Sequence, residues 1–127
     1  MNHLTLQILD EQYTVHQLSV ESPIPDQVLT SDFYSISRTK EELSIVCHAS
    51  IQIESDKSET GWSCIKVMGP LDFEWTGILA NLSQTLSDAG ISMFALSTYD
   101  TDYILIKAEK LEAAKTVLLA SGHRIIT

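Results

Sequence analysis

Over residues 61–127 the spacing of apolar residues switches repeatedly between the period of a strand and that of a helix, and that alternation fixes the fold class. GWSCIKVM (61–68) has the β-branched and apolar density of a strand, which Gly69-Pro70 ends. Asp72 then offers an N-cap, and Trp75, Ile78, Leu79, Leu82, Leu86 and Ala89 recur at helical spacing. Gly90 fits the left-handed position that closes a helix. ISMFALS (91–97) and DYILIKA (102–108) predict two further strands. A second amphipathic helix follows between Lys110 and Ser121, with Leu111, Ala114, Val117 and Leu118 inward and Gly122 at its end, and HRIIT supplies a last short strand.

Strand, helix, strand, strand, helix, strand is the split βαβ order, in which two helices cover one face of a four-stranded antiparallel sheet. A module of about 65 residues is short for an independent core. The first half provides a partner. LTLQILD (4–10) and YTVHQLS (13–19) predict paired strands joined by a tight acidic turn. SPIPDQVLT allows one helical turn, because its prolines forbid more. FYSISRT (33–39) and LSIVCHAS (43–50) predict strands around TKEE, which has the composition of a helical turn or tight loop. Residues 52–60, QIESDKSET, predict a polar link. The same element order fits this half only with both helices shrunk to a turn, so the expected organisation is a degenerate N-terminal module over 1–60 and a full one over 61–127. The fold class is α+β.

Charge and composition narrow the partners. Lys and Arg number 8 against 17 Asp and Glu, a net of −9, which repels phosphate backbones and anionic lipid. No nucleic acid and no membrane is therefore expected. No apolar run approaches a membrane span and MNHLTLQILDEQ lacks the features of a signal peptide, so a cytoplasmic location is the default expectation. Cys47 and Cys64 form no metal or redox motif and read as reduced, buried thiols.

Four stretches, RTKEELSIVC, GPLDF, TGILANLSQTLSDAGIS and STYDTDYILI, occur in that order between residues 38 and 106, within a likeness that spans roughly residues 33 to 122. Together they resemble the small paired ACT-domain proteins. These are bacterial ligand-binding relatives of the ACT pairs in aspartokinases and in the cytosolic arginine sensor of animals. The resemblance implies two ferredoxin-like βαββαβ modules side by side, the first with reduced helices, binding an amino acid or similar metabolite at their interface. Carried over residue by residue, it implies contacts from Trp75, Thr76, Gly77 and Ile78, from Thr98, Tyr99 and Asp102, and from Ser44 and Ile45. It implies no cofactor, no metal and no catalysis, with a small-molecule ligand and a homodimer as partners.

The residues themselves support a less specific version. Backbone N–H groups at the start of the helix after GPLDF attract a carboxylate. An ammonium group needs a carboxylate, and Asp102 is the candidate, with Thr98, Thr101 and Ser44 as neutral supplements. From pattern alone, the acids around Thr101 are more often turn residues bonding their own backbone. Trp75 and Ile78 share the apolar helix face and fit a core equally well. Gly77, inside a helical pattern, costs about 1 kcal/mol against alanine, and close packing is the favoured explanation.

Catalysis fares worse. His3, His16, His48 and His123 are scattered, each suited to a surface or strand edge. Cys47 and His48 are adjacent, so in a strand they face opposite ways and form no nucleophile–base pair. There is no G-x-S-x-G elbow and no phosphate loop. A ligand-free dimerisation module is the alternative to a ligand sensor: it explains the apolar strands but leaves the cluster of Thr98, Tyr99 and Asp102 without a purpose.

Overall fold

The computed structural model describes residues 3–68 and 77–127. The strands are β1 (Thr5–Leu18), β2 (Tyr34–Arg38), β3 (Leu43–His48), β4 (Lys57–Val67), β5 (Phe94–Ser97), β6 (Asp102–Lys107) and β7 (Arg124–Ile126). The helices are α1 (Asp26–Leu29), α2 (Ile78–Asp88) and α3 (Leu111–Ala120), the last entered through a short 3-10 turn, Ala108–Lys110. The chain is α+β. Its two compact units do not follow chain order: one comprises residues 1–10 and 63–127, the other residues 11–62. No helix among the described residues is long and apolar enough to cross a membrane.

In the first unit, strand order is β7-β1-β4-β6-β5. The expected module of β4, β5, β6 and β7 is present, but the start of β1 is inserted between β4 and β7. Thr5, Leu6 and Gln7 run parallel to Arg124, Ile125 and Ile126. The Met68 N–H donates to Thr5 O and the Arg124 N–H to Leu4 O, both over 2.9 Å. The chain's first strand thus joins the C-terminal module, which the order of elements in sequence does not reveal. One face of this sheet is built by strand alternation (Leu4 and Leu6, Ile65 and Val67, Ile104 and Ile106). It packs against Leu82 and Leu86 of α2 and Ala114 and Leu118 of α3, each pair spaced i, i+4 on one helix face. Burying each large side chain contributes roughly 1.5–3 kcal/mol, and this cluster is the unit's main source of stability.

The helices end as expected, with Gly90 and Gly122 at φ of 74° and 95°. Their starts differ. Asp72, the expected N-cap of α2, and the Gly69-Pro70 turn lie outside the described residues. Gly77 is the N-cap itself, with φ of 80°, and not an interior helical residue. Among the described residues a Cβ there would meet nothing within 4 Å. The left-handed backbone, which glycine adopts without steric cost, is the reason these residues give for a glycine here. The expected strand ISMFALS also shortens to Phe94–Ser97, and Ile91 goes instead into the core.

In the second unit, Tyr13–Leu18 of β1 pairs antiparallel with His48–Leu43 of β3, and β3 pairs antiparallel with β2. The expected hairpin of LTLQILD and YTVHQLS does not form; β1 is one strand of 14 residues. Asp10, Glu11 and Gln12 are exposed along it. A two-residue reversal needs positive φ, which glycine or asparagine supplies and this acidic stretch does not. The expected link 52–60 is partly strand, since β4 begins at Lys57. TKEE is a tight turn: the Thr39 N–H donates to Glu42 O over 2.9 Å, and the Thr39 hydroxyl accepts from the N–H groups of Glu41 and Glu42. Both helices of this module are reduced. α1 is a single turn entered from Pro25, and the segment 49–56 between β3 and β4 carries no helix. Ile51 and Ile53 of that segment pack against the core of Leu18, Val28, Leu43, Ile45 and Cys47.

Candidate functional site

The STYDTD cluster is the mouth of the β5–β6 hairpin. Phe94–Ser97 pairs with Leu105–Asp102, leaving 98–101 as the loop. The Thr98 N–H donates to Thr101 O over 2.9 Å, and the Thr101 N–H donates to Thr98 Oγ1 over 3.2 Å. The two threonine hydroxyls lie 2.6 Å apart, and the Ser97 hydroxyl donates to Asp102 Oδ1 over 2.6 Å. The hydroxyls and the acid therefore close a turn, as such residues do when they bond local backbone. They do not exhaust Asp102, because a carboxylate offers about four lone-pair sites. Tyr99 stands out at the tip, 80% exposed.

The other residues singled out from the sequence divide as follows. Gly77 and Ile78 begin α2, and among the described residues no side chain caps the helix N-terminus. Ile78 packs against the first unit's core, which fits its apolar reading. Trp75 and Thr76 lie outside the described residues. Ser44 and Ile45 are neighbours on β3 in the second unit. Ile45 is fully buried in that unit's core, so Ser44 points to the opposite face, across from Gln17 and Ser37.

Two histidines are not where the sequence put them. His16 and His123 are buried, 5% and 3% exposed. The Leu4 N–H donates to His123 Nδ1 over 3.1 Å, and His16 Nδ1 lies 3.0 Å from Ser55 Oγ. Burial holds both imidazoles below their ordinary basicity, with the His3 charge adding to the effect at His123. Lone histidines in alternating stretches carry no sequence signal that separates a buried ring from an exposed one. His48 differs: its Nε2 lies 2.6 Å from Asp32 Oδ1, and its ring stacks on Tyr13 at 5.1 Å. Cys47 beside it points into the core, so the pair faces opposite ways. Both cysteines are free and buried. Among the described residues no group of three or more His, Cys, Asp or Glu is placed to hold a metal ion.

Residues 57–120 match the family model of the ACT domain, and residues 11–55 match a second model, of an N-terminal domain. A protein of Agobacterium tumefaciens with a known crystal structure is 37% identical over 99% of this chain and 94% of its own, with a TM-score of 0.89. The chain belongs to the ACT-domain family. Structures of the ACT fold elsewhere agree. The aspartokinase alpha and beta subunits superpose with a TM-score of 0.62 at 15% identity, over 92% of this chain and 96% of that one. The ligand-free regulatory subunit of Thermus thermophilus aspartate kinase gives 0.60 at 12% identity, over 88% and 94%. Likenesses at that identity establish the fold alone. No curated protein sequence matches the chain. For this ACT-domain protein, the fold expected from the four quoted stretches stands, with the start of β1 added to the C-terminal module.

Proposed function

We propose that this chain is a regulatory module that binds a small metabolite, an amino acid in the first instance, and catalyses nothing itself. The observation that carries the reading is the ACT-domain match over residues 57–120, a domain whose relatives here include a kinase regulatory subunit. The contributing residues on this reading are those of the C-terminal module: Trp75, Thr76, Gly77, Ile78, Thr98, Tyr99 and Asp102.

The chemistry suits a zwitterion. An ammonium group donates to the lone pairs that Ser97 leaves free on Asp102, with Thr98 beside it. A carboxylate takes the N–H groups at the start of α2, which no described side chain caps. Ligand binding then biases the protein towards one arrangement, which a partner or a second copy of the chain senses.

A thermal-shift screen against the standard amino acids and common nucleotides tests this, with Asp102→Ala alongside. A ligand at 100 times its dissociation constant stabilises by about 2.7 kcal/mol. One amino acid that shifts the parent and not the variant supports the reading. If no compound shifts the parent, the ligand-free dimerisation module is the better account.

A further inference from the structure

A second site lies wholly within residues 11–62. An open cavity of about 520 Å³ is walled by Thr14 and His16 of β1, Ile51, Ile53 and Glu54 of the helix-free segment, and Thr60 of β4. Pockets for small metabolites run from about 300 to about 1,000 Å³. The cavity occurs where the module's second helix has shrunk to an irregular segment. Ile51 and Ile53 cover the core in the helix's place but leave the sheet beside His16 only partly roofed.

His16 is the group that needs explaining. One ring nitrogen, Nδ1, is engaged by the Ser55 hydroxyl over 3.0 Å. The other, Nε2, is buried with no hydrogen-bond partner among the described residues. An unmet buried nitrogen costs about 1–3 kcal/mol, so native proteins seldom keep one without a water, ion or ligand to satisfy it. Burial keeps the imidazole neutral, so when Nδ1–H donates to Ser55, Nε2 presents a bare lone pair. Among the described residues lining the cavity, Glu54 is the sole formal charge, with no lysine or arginine. That wall disfavours carboxylates and phosphates and favours a cationic donor.

We infer that the cavity of the N-terminal module binds a small alkylammonium ligand, whose N–H groups meet His16 Nε2 and Glu54 and whose alkyl part lies along Ile51 and Ile53. Nε2 is shielded from solvent, so the amine reaches it only as the side chains over the ring shift. The inference does not rest on the amino-acid site of the C-terminal module.

The test is an amide and imidazole 15N NMR titration of the full chain with three short-chain probes that differ in their head group: n-butylamine, n-butanol and n-butyrate. Butylamine is expected to move the amides of Thr14, Ile51, Ile53, Glu54 and Thr60 and the His16 ring nitrogens. It should bind about tenfold tighter than butanol, with butyrate weakest. Glu54→Gln, at an exposed position, should reduce butylamine affinity several-fold and leave butanol unchanged, and His16→Phe should remove the amine preference. Equal binding of all three probes, unchanged butylamine affinity in Glu54→Gln, or no probe moving the cavity residues would overturn the inference, the last by leaving a buried water as the partner of Nε2. Because the readout sits on β1 and 51–60, a negative result here leaves the Asp102 test untouched, and the reverse.

Discussion

The Ser97 hydroxyl donates to Asp102 Oδ1 over 2.6 Å, straight across the last pair of the β5–β6 hairpin. This bond gives Asp102 a structural role separable from any role towards a ligand. Asp102→Asn keeps an acceptor for Ser97 and removes the charge. The variant should unfold within about 1 kcal/mol of the parent, the net worth of one such bond, yet lose the amino-acid-dependent rise in melting temperature. A loss of intrinsic stability well beyond that, with ligand response intact, would make Asp102 a hairpin residue only.

Much of the C-terminal module was legible from period alone, because Leu82, Leu86, Ala114 and Leu118 repeat at i, i+4 between strands that alternate. What escaped was non-local. No sequence feature says that Leu4 and Leu6 join a sheet built mostly after residue 62, or that β1 runs unbroken past Asp10. On pattern alone the acids around Thr101 read as turn residues, and Asp102 does bond across the hairpin end to Ser97; the hydroxyls of Thr98 and Thr101 read as ligand groups and bond within the turn, since one chemistry serves both. His16 carried no signal at all, because its interest comes from a roof that the folded segment 49–56 fails to complete.

The core supplies a second test. Leu86 is fully buried against both helices' core face, whereas Leu119, one residue past Leu118, is 53% exposed. Leu86→Ala should cost about 2–5 kcal/mol in urea unfolding. Leu119→Ser should stay within about 0.5 kcal/mol of the parent. Comparable losses at the two positions would contradict the helix face assigned here.

Acid should destabilise the fold earlier than carboxylate titration alone implies. His16 and His123 have folded-state pKa values lowered by burial, so the folded chain binds fewer protons than the unfolded one. Their contribution is fully present above the unfolded value of about 6.5 and is lost as the pH falls from there through the folded pKa. Protonated His123 donates at both nitrogens and can no longer accept from the Leu4 N–H. The urea midpoint should therefore drop between about pH 7 and about pH 5.5, and His16→Gln combined with His123→Asn should flatten that slope. A parent midpoint that is level over this range would show that neither ring is buried neutral.

The thiols give the last prediction. Burial pushes Cys47 up to about 11 and Cys64 up to about 12, so at neutral pH neither supplies the thiolate that attacks a disulfide reagent. Both are free, on different strands in different units, and desolvation by burial is the cause of both shifts. A chromogenic disulfide reagent added to the native protein near pH 8 should therefore react at a rate set by opening of the fold, and the rate should rise with urea in step with unfolding. Cys47 belongs to the core of residues 11–62, and Cys64 to the unit that holds α2 and α3. Leu86→Ala should therefore expose Cys64 sooner than Cys47 if the two units open separately, and both together if they open as one. Fast reaction of either thiol in the untreated native protein would mean that its strand is not buried as described.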